Sequence, residues 1–96
     1  MTIEQVKEKA NPVLRKYFVE YAGIFGSVAR GQAHVDSDVD ILVRFGKTPS
    51  LVQLIRMENE LKELLKTKVD VVVQGSEKSL IKPAIEKDLI LLYGQR

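Results

Sequence analysis

The sequence predicts an α/β fold: one sheet with helices packed on it. Apolar periodicity switches along the chain between the 3.6-residue repeat of a helix and the two-residue repeat of a strand, in the order α-β-α-β-α-β-α-β. Two short stretches, 39–43 and 69–73, carry the β-branched residues typical of strands. The 96 residues, 45% hydrophobic and 29% charged, suit one folded domain over 1–96.

Thr2 opens a first helix, with Gln5 placed to complete a capping box. Ile3, Val6, Ala10, Val13, Leu14 and Phe18 follow at near-helical spacing and mark its apolar face, while Pro12 predicts a bend or break inside it. Residues 21–25 are short and apolar and end at Gly26, as a buried strand does. About one helical turn follows at 28–30, entered through Ser27 and stopped by Gly31. Val39, Ile41 and Val43 alternate with Asp38, Asp40 and Leu42 in the next strand. Ser50 caps the longest helix, whose Leu51, Leu54, Ile55, Leu61, Leu64 and Leu65 trace a face expected in the core, with Glu60, Lys62, Glu63 and Lys66 opposite. Val69-Asp70-Val71-Val72-Val73, bounded by Gly75, reads as a central strand carrying one carboxylate. A helix over 79–87, with Pro83 near its first turn, and a strand over 89–93 close the order.

Composition removes several classes of function. With 15 Lys and Arg against 13 Asp and Glu the net charge is +2, which is no electrostatic footprint for a nucleic-acid duplex. No basic–aromatic interleaving suggests a nucleic-acid acceptor either. The absence of cysteine excludes disulfides and thiolate–zinc sites. The first residues alternate charged and apolar side chains, unlike a signal peptide, and no apolar run approaches the roughly 20 residues of a membrane span. The expectation is a cytoplasmic protein without a membrane partner, of a size that gains stability from a homo- or hetero-oligomer.

Chemistry concentrates between residues 26 and 40. Gly26 ends a strand and Ser27 begins a helical turn, so the backbone N–H groups of Ser27 and Val28 can face an anion. A side chain at Gly26 would hold phosphates away, and the Ser27 hydroxyl adds a donor. Asp38 and Asp40 sit two apart on a strand, so their carboxylates leave one face about 7 Å apart at the backbone and can converge on one or two Mg²⁺ ions. Asp70, taken as inward-facing on a neighbouring strand, is the natural third carboxylate. Each residue alone has a plainer reading, a turn for Gly26-Ser27 or solvated strand-edge charges for the aspartates. The combination favours a nucleotide and a metal. Arg30 suits a triphosphate or acceptor contact and equally a surface arginine before Gly31. Ser37 lies near the metal but also shapes the turn with Asp36. His34, the lone histidine, has no second ligand beside it.

These residues carry a resemblance. The run Gly26-Ser27-Val28-Ala29-Arg30-Gly31 through Asp36-Ser37-Asp38-Val39-Asp40-Ile41-Leu42-Val43 resembles the minimal nucleotidyltransferases, small members of the polymerase-β-like superfamily. It continues through 51–56 and 68–72 and covers nearly the whole chain. The resemblance implies a single-domain nucleotidyltransferase (polymerase-β-like palm) fold, with a mixed sheet of about four strands flanked by helices. It also implies that Gly26 and Ser27, with Arg30 and Ser37, bind the nucleoside triphosphate, that Asp38, Asp40 and Asp70 coordinate Mg²⁺, and that Asp70 serves as general base or organises the site. It further implies ATP as substrate and a second, helical protein as partner: a HEPN-type ribonuclease toxin that receives AMP on a tyrosine, with this chain as its antitoxin. Two other readings stay open at this point, a steric antitoxin that uses the nucleotide site little, and a nucleotidyltransferase for a small molecule or nucleic-acid end presented by a separate subunit.

Overall fold

A computed structural model describes residues 2–31, 38–76 and 79–95. Its elements are α1 (Ile3–Lys16), β1 (Val19–Phe25), α2 (Gly26–Ala29), β2 (Val39–Phe45), α3 (Leu51–Leu65), β3 (Val69–Val73), α4 (Lys82–Asp88) and β4 (Ile90–Gly94), in the predicted order. The four strands make one mixed sheet in the order β3-β2-β1-β4. β1 pairs antiparallel with both β2 and β4, whereas β2 and β3 run parallel and are joined through α3. β3 is therefore an edge strand, not the central strand its unbroken apolar sequence suggested: partial cover on both faces asks for the same β-branched residues that a central position would.

Helices cover the two faces unequally. On one face α1 and α3 bury Val6, Ala10, Leu14, Met57, Leu61 and Leu65 against Ala22, Ile24, Ile41, Val43 and Val69 of the sheet. The other face carries a smaller cluster, in which Ile85 of α4 packs on Tyr21 and Leu42, with Phe25, Val72 and Leu89 at its margin.

Local chemistry sets the element ends. The Thr2 hydroxyl accepts from the Gln5 N–H at 3.2 Å, and the Thr2 N–H donates back to Gln5 Oε1 at 2.9 Å. Ser50 and Gln53 repeat this box at α3, at 3.1 and 3.0 Å. Each box satisfies two of the donors that a helix start leaves open.

Several further expectations need correction. α1 runs through Pro12 without a break. Pro12 and Glu8 are both exposed, so the Glu8 carbonyl that loses its usual N–H partner is left to water. Phe18 leaves the apolar face of α1: it follows the C-cap Tyr17 with φ 62° and its side chain is 64% exposed. On α3 the buried stripe is Met57, Leu61 and Leu65, while Leu51, Ile55 and Leu64 are exposed. Met57, Leu61 and Leu65 are spaced by four and stack on one face, which turns Leu51 and Ile55 onto the flank of the helix. α4 also starts later than expected, at Lys82, and β4 at Ile90. No helix among the described residues is long and apolar enough to cross a membrane.

Candidate active site

Strand register assembles the acidic site. Asp40 pairs with Phe25 across the antiparallel β1–β2 ladder, so the Gly26 turn that follows β1 comes beside Asp40. Asp40 also stands opposite Asp70 in the parallel β2–β3 ladder. Neighbouring strands lie about 4.8 Å apart, which brings these two carboxylate-bearing positions together across 30 residues of sequence. Asp38, two residues before Asp40, shares its side of the chain. All three belong to the face that carries Leu42 and Val72, the face covered by α4.

Gly26 has φ +77°, and a Cβ built there would overlap Asp40 Oδ2 and stand 3.2 Å from Asp40 Cγ. The glycine thus permits the turn backbone and the Asp40 carboxylate to share a space that no side chain could enter. Ser27 and Val28 follow in α2, and Val28 anchors that short helix in the core while Ser27 remains half-exposed.

Asp40 is half-buried and its carboxyl is pushed above the ordinary carboxylate range. Burial is the main cause, the Asp70 and Asp38 charges add to it, and Arg30 opposes them. Asp70, expected as an inward carboxylate, is exposed. Among the described residues it sits on an edge strand, with no further strand beyond it. Arg30 Nη1 donates to Asp88 Oδ2 at 2.6 Å, which ties the end of α2 to the end of α4. Arg30 is thereby both a structural clamp and a positive charge on Asp40. Asp88, 58 residues away from it, gave no signal in the sequence. Ser37, with His34 and Asp36, lies outside the described residues.

Among the described residues no group of three or more potential ligand side chains is already closed into a metal cage. The donor set still fits a hard divalent cation. It offers carboxylate oxygens only, and mutual repulsion at Asp40 is what such an ion would relieve. Mg²⁺ is ordinarily held by one or two carboxylates together with substrate phosphates, so an open protein half-site is the expected form.

The four-stranded mixed sheet thus brings the Gly26 turn, Asp40 and Asp70 to one end. The chain belongs to the polymerase beta nucleotidyltransferase family, which it matches over residues 8–96. It is 42% identical over 89 residues to the protein adenylyltransferase MntA of Thermococcus cleftensis, a match that spans 92% of this chain and 90% of that one. Its fold is similar to a chain of a toxin–antitoxin complex solved with AMP-PNP, at TM-score 0.81 and 24% identity over 94% of this chain and 74% of the other. It is likewise similar, at TM-score 0.75 and 20% identity, to a chain in a complex of tri-AMPylated Shewanella oneidensis HEPN toxin with MNT antitoxin, over 98% of this chain and 74% of that one.

Proposed function

We propose that this nucleotidyltransferase moves AMP from ATP to a tyrosine of a HEPN-type toxin and so acts as its antitoxin. The observation that carries the reading is the placement of Asp40 between a Gly26 that has no room for a side chain and Asp70 across the next strand. The name of the 42% identical relative supports protein as the acceptor, and the complexes that share the fold support a toxin as that protein.

In this reading the Ser27 and Val28 N–H groups and the Ser27 hydroxyl hold the triphosphate, with Arg30 contributing charge from the edge. Asp38 and Asp40, with Asp70, would hold one or two Mg²⁺ ions, which when bound neutralise the phosphates and orient them. Asp70, being exposed, is reachable by an incoming hydroxyl and accepts its proton. The tyrosine oxygen forms a bond to the α-phosphorus as the bond to the bridging oxygen breaks, and pyrophosphate leaves with that electron pair. Exposed Leu80, Ile81, Ile90 and Leu91, around α4 and the start of β4, are apolar surface that a partner would cover. Ser37 belongs to the same proposal, as a further nucleotide contact, and the cytoplasm is where both substrates meet.

Incubating the chain with its toxin, ATP and Mg²⁺ and weighing the toxin intact tests this. A gain of about 329 Da per AMP is the expected result for covalent transfer. Neutralisation of the toxin without a mass change, and equally by an Asp38→Asn/Asp40→Asn variant, would instead establish a steric binder.

A further inference from the structure

At the end of the sheet away from Gly26 lies a half-open cavity of about 640 Å³, lined among others by Lys16, Tyr17, Phe18, Lys47, Arg56 and Glu60. Phe18 precedes β1 and Gly26 follows it, so the two ends are about 20 Å apart along that strand. We propose that this cavity is a second site, one that takes a nucleoside phosphate, with the base on the Phe18 ring and the phosphate on Lys47 and Arg56.

Phe18 is the first reason. It occupies the position after the C-cap of α1 in a left-handed conformation, where glycine is favoured because a Cβ is strained there. A phenylalanine at such a place normally justifies itself by burial, yet this ring is 64% exposed at the wall of the cavity. A strained and exposed aromatic ring is an outlier that points to binding. Lys66 shares the conformation at the end of α3, but its chain carries no apolar surface comparable to an aromatic ring.

Charge is the second reason. Lys16 Nζ donates to Glu60 Oε1 at 2.8 Å and lies 5.5 Å from the Tyr17 ring, which builds one wall. Lys47 and Arg56, both exposed, enter no ion pair among the described residues. Three cations face the cavity against the carboxylates of Glu60 and Glu63, which leaves it able to attract an anion. The Lys16 ammonium and the Tyr17 hydroxyl both engage the Glu60 carboxylate and hold it below the ordinary carboxylate range, so its charge is met within this wall. Aromatic ring and unpaired cations side by side are the pairing that holds a base and its phosphate. The linear sequence concealed it, because Lys47 and Arg56 reach Phe18 only through the fold. The volume suits one nucleotide better than an extended strand or a protein face.

The inference rests on the transferase reading only in the choice of adenine as the base. Two-dimensional amide NMR of the chain, titrated with AMP in EDTA, reports each end of the sheet separately. Shifts at Phe18, Lys47, Arg56 and Asn59 are expected, whatever happens near Gly26. No shift at these residues, or an equal shift of Phe18 with inorganic phosphate alone, would overturn the proposal. Phe18→Gly should weaken AMP at this end about tenfold, the loss of one stacked base, and raise the melting temperature by removing the strain. A lower melting temperature with unchanged AMP binding would make Phe18 structural and sink the idea. Lys47→Ala/Arg56→Ala, at exposed positions, should fold normally and lose the AMP shifts; retained binding in that variant counts equally against it. A 5′-phosphorylated diadenylate that binds more tightly than AMP identifies an RNA end as the source of the ligand, and equal affinity identifies the free nucleotide.

Discussion

Asp40 concentrates the conflict between stability and chemistry. Its folded-state carboxyl titrates above the ordinary value, so over the pH window between the two the folded protein holds more protons than the unfolded chain. Stability from this group therefore falls as pH rises through that window, and once ionised, Asp40 opposes folding. Asp40→Asn should abolish nucleotide transfer and, in the absence of metal, raise the melting temperature. Thermal melts in EDTA beside a transfer assay check both halves, and a lower melting temperature would show that the carboxylate holds the site together. Gly26→Val meets two obstacles at once, a left-handed backbone worth about 1–2 kcal/mol and the overlap with Asp40 Oδ2. It should lose ATP–Mg²⁺ binding in calorimetry, whereas Ser27→Ala removes a single donor and should cost about 1–3 kcal/mol of binding. Unchanged ATP affinity in Gly26→Val would place the nucleotide elsewhere.

Among the elements, α3 shows how little of a helix its apolar pattern specifies. Six leucines and isoleucines suggested the buried face, but Met57, Leu61 and Leu65 are the fully buried residues, seated over the sheet beside α1. Met57→Ala should destabilise by about 2–5 kcal/mol, the range for emptying a packed core position. Leu51→Ala, at a position 72% exposed, should change little in the same denaturant titration. The capping box of α3 predicts a smaller effect, about 1 kcal/mol lost in Ser50→Ala. The short α2 is held differently, by Val28 in the core and by the Arg30–Asp88 pair to α4. The ion pair, with Arg30 exposed and Asp88 mostly covered, ties the turn that carries Ser27 to α4.

For the whole molecule, ligand binding and folding are linked. A compound that binds only the folded chain stabilises it by mass action. ATP with Mg²⁺ should raise the melting temperature of the wild-type chain, and the Asp38→Asn/Asp40→Asn variant should lose most of that rise. An equal rise in both, read by calorimetric scans, would mean that the aspartates do not hold the metal–nucleotide complex.

The eight elements and their order were legible in the sequence because helix and strand periods, caps and Gly26 are local signals. So were Gly26, Ser27, Asp38 and Asp40 as candidates, since a turn and a two-residue spacing define their geometry without reference to the rest of the chain. The register that puts Asp70 beside Asp40 was decided by tertiary structure, as were its exposure on an edge strand and the pairing of Arg30 with Asp88. Phe18 belongs with these: its apolar character and helical spacing fitted a core position, until the turn from α1 into β1 rotated it outward. The physical reason is common to them. Backbone periodicity tells which residues share a face, but which faces are covered, and what lies opposite across a ladder, depends on contacts between segments tens of residues apart.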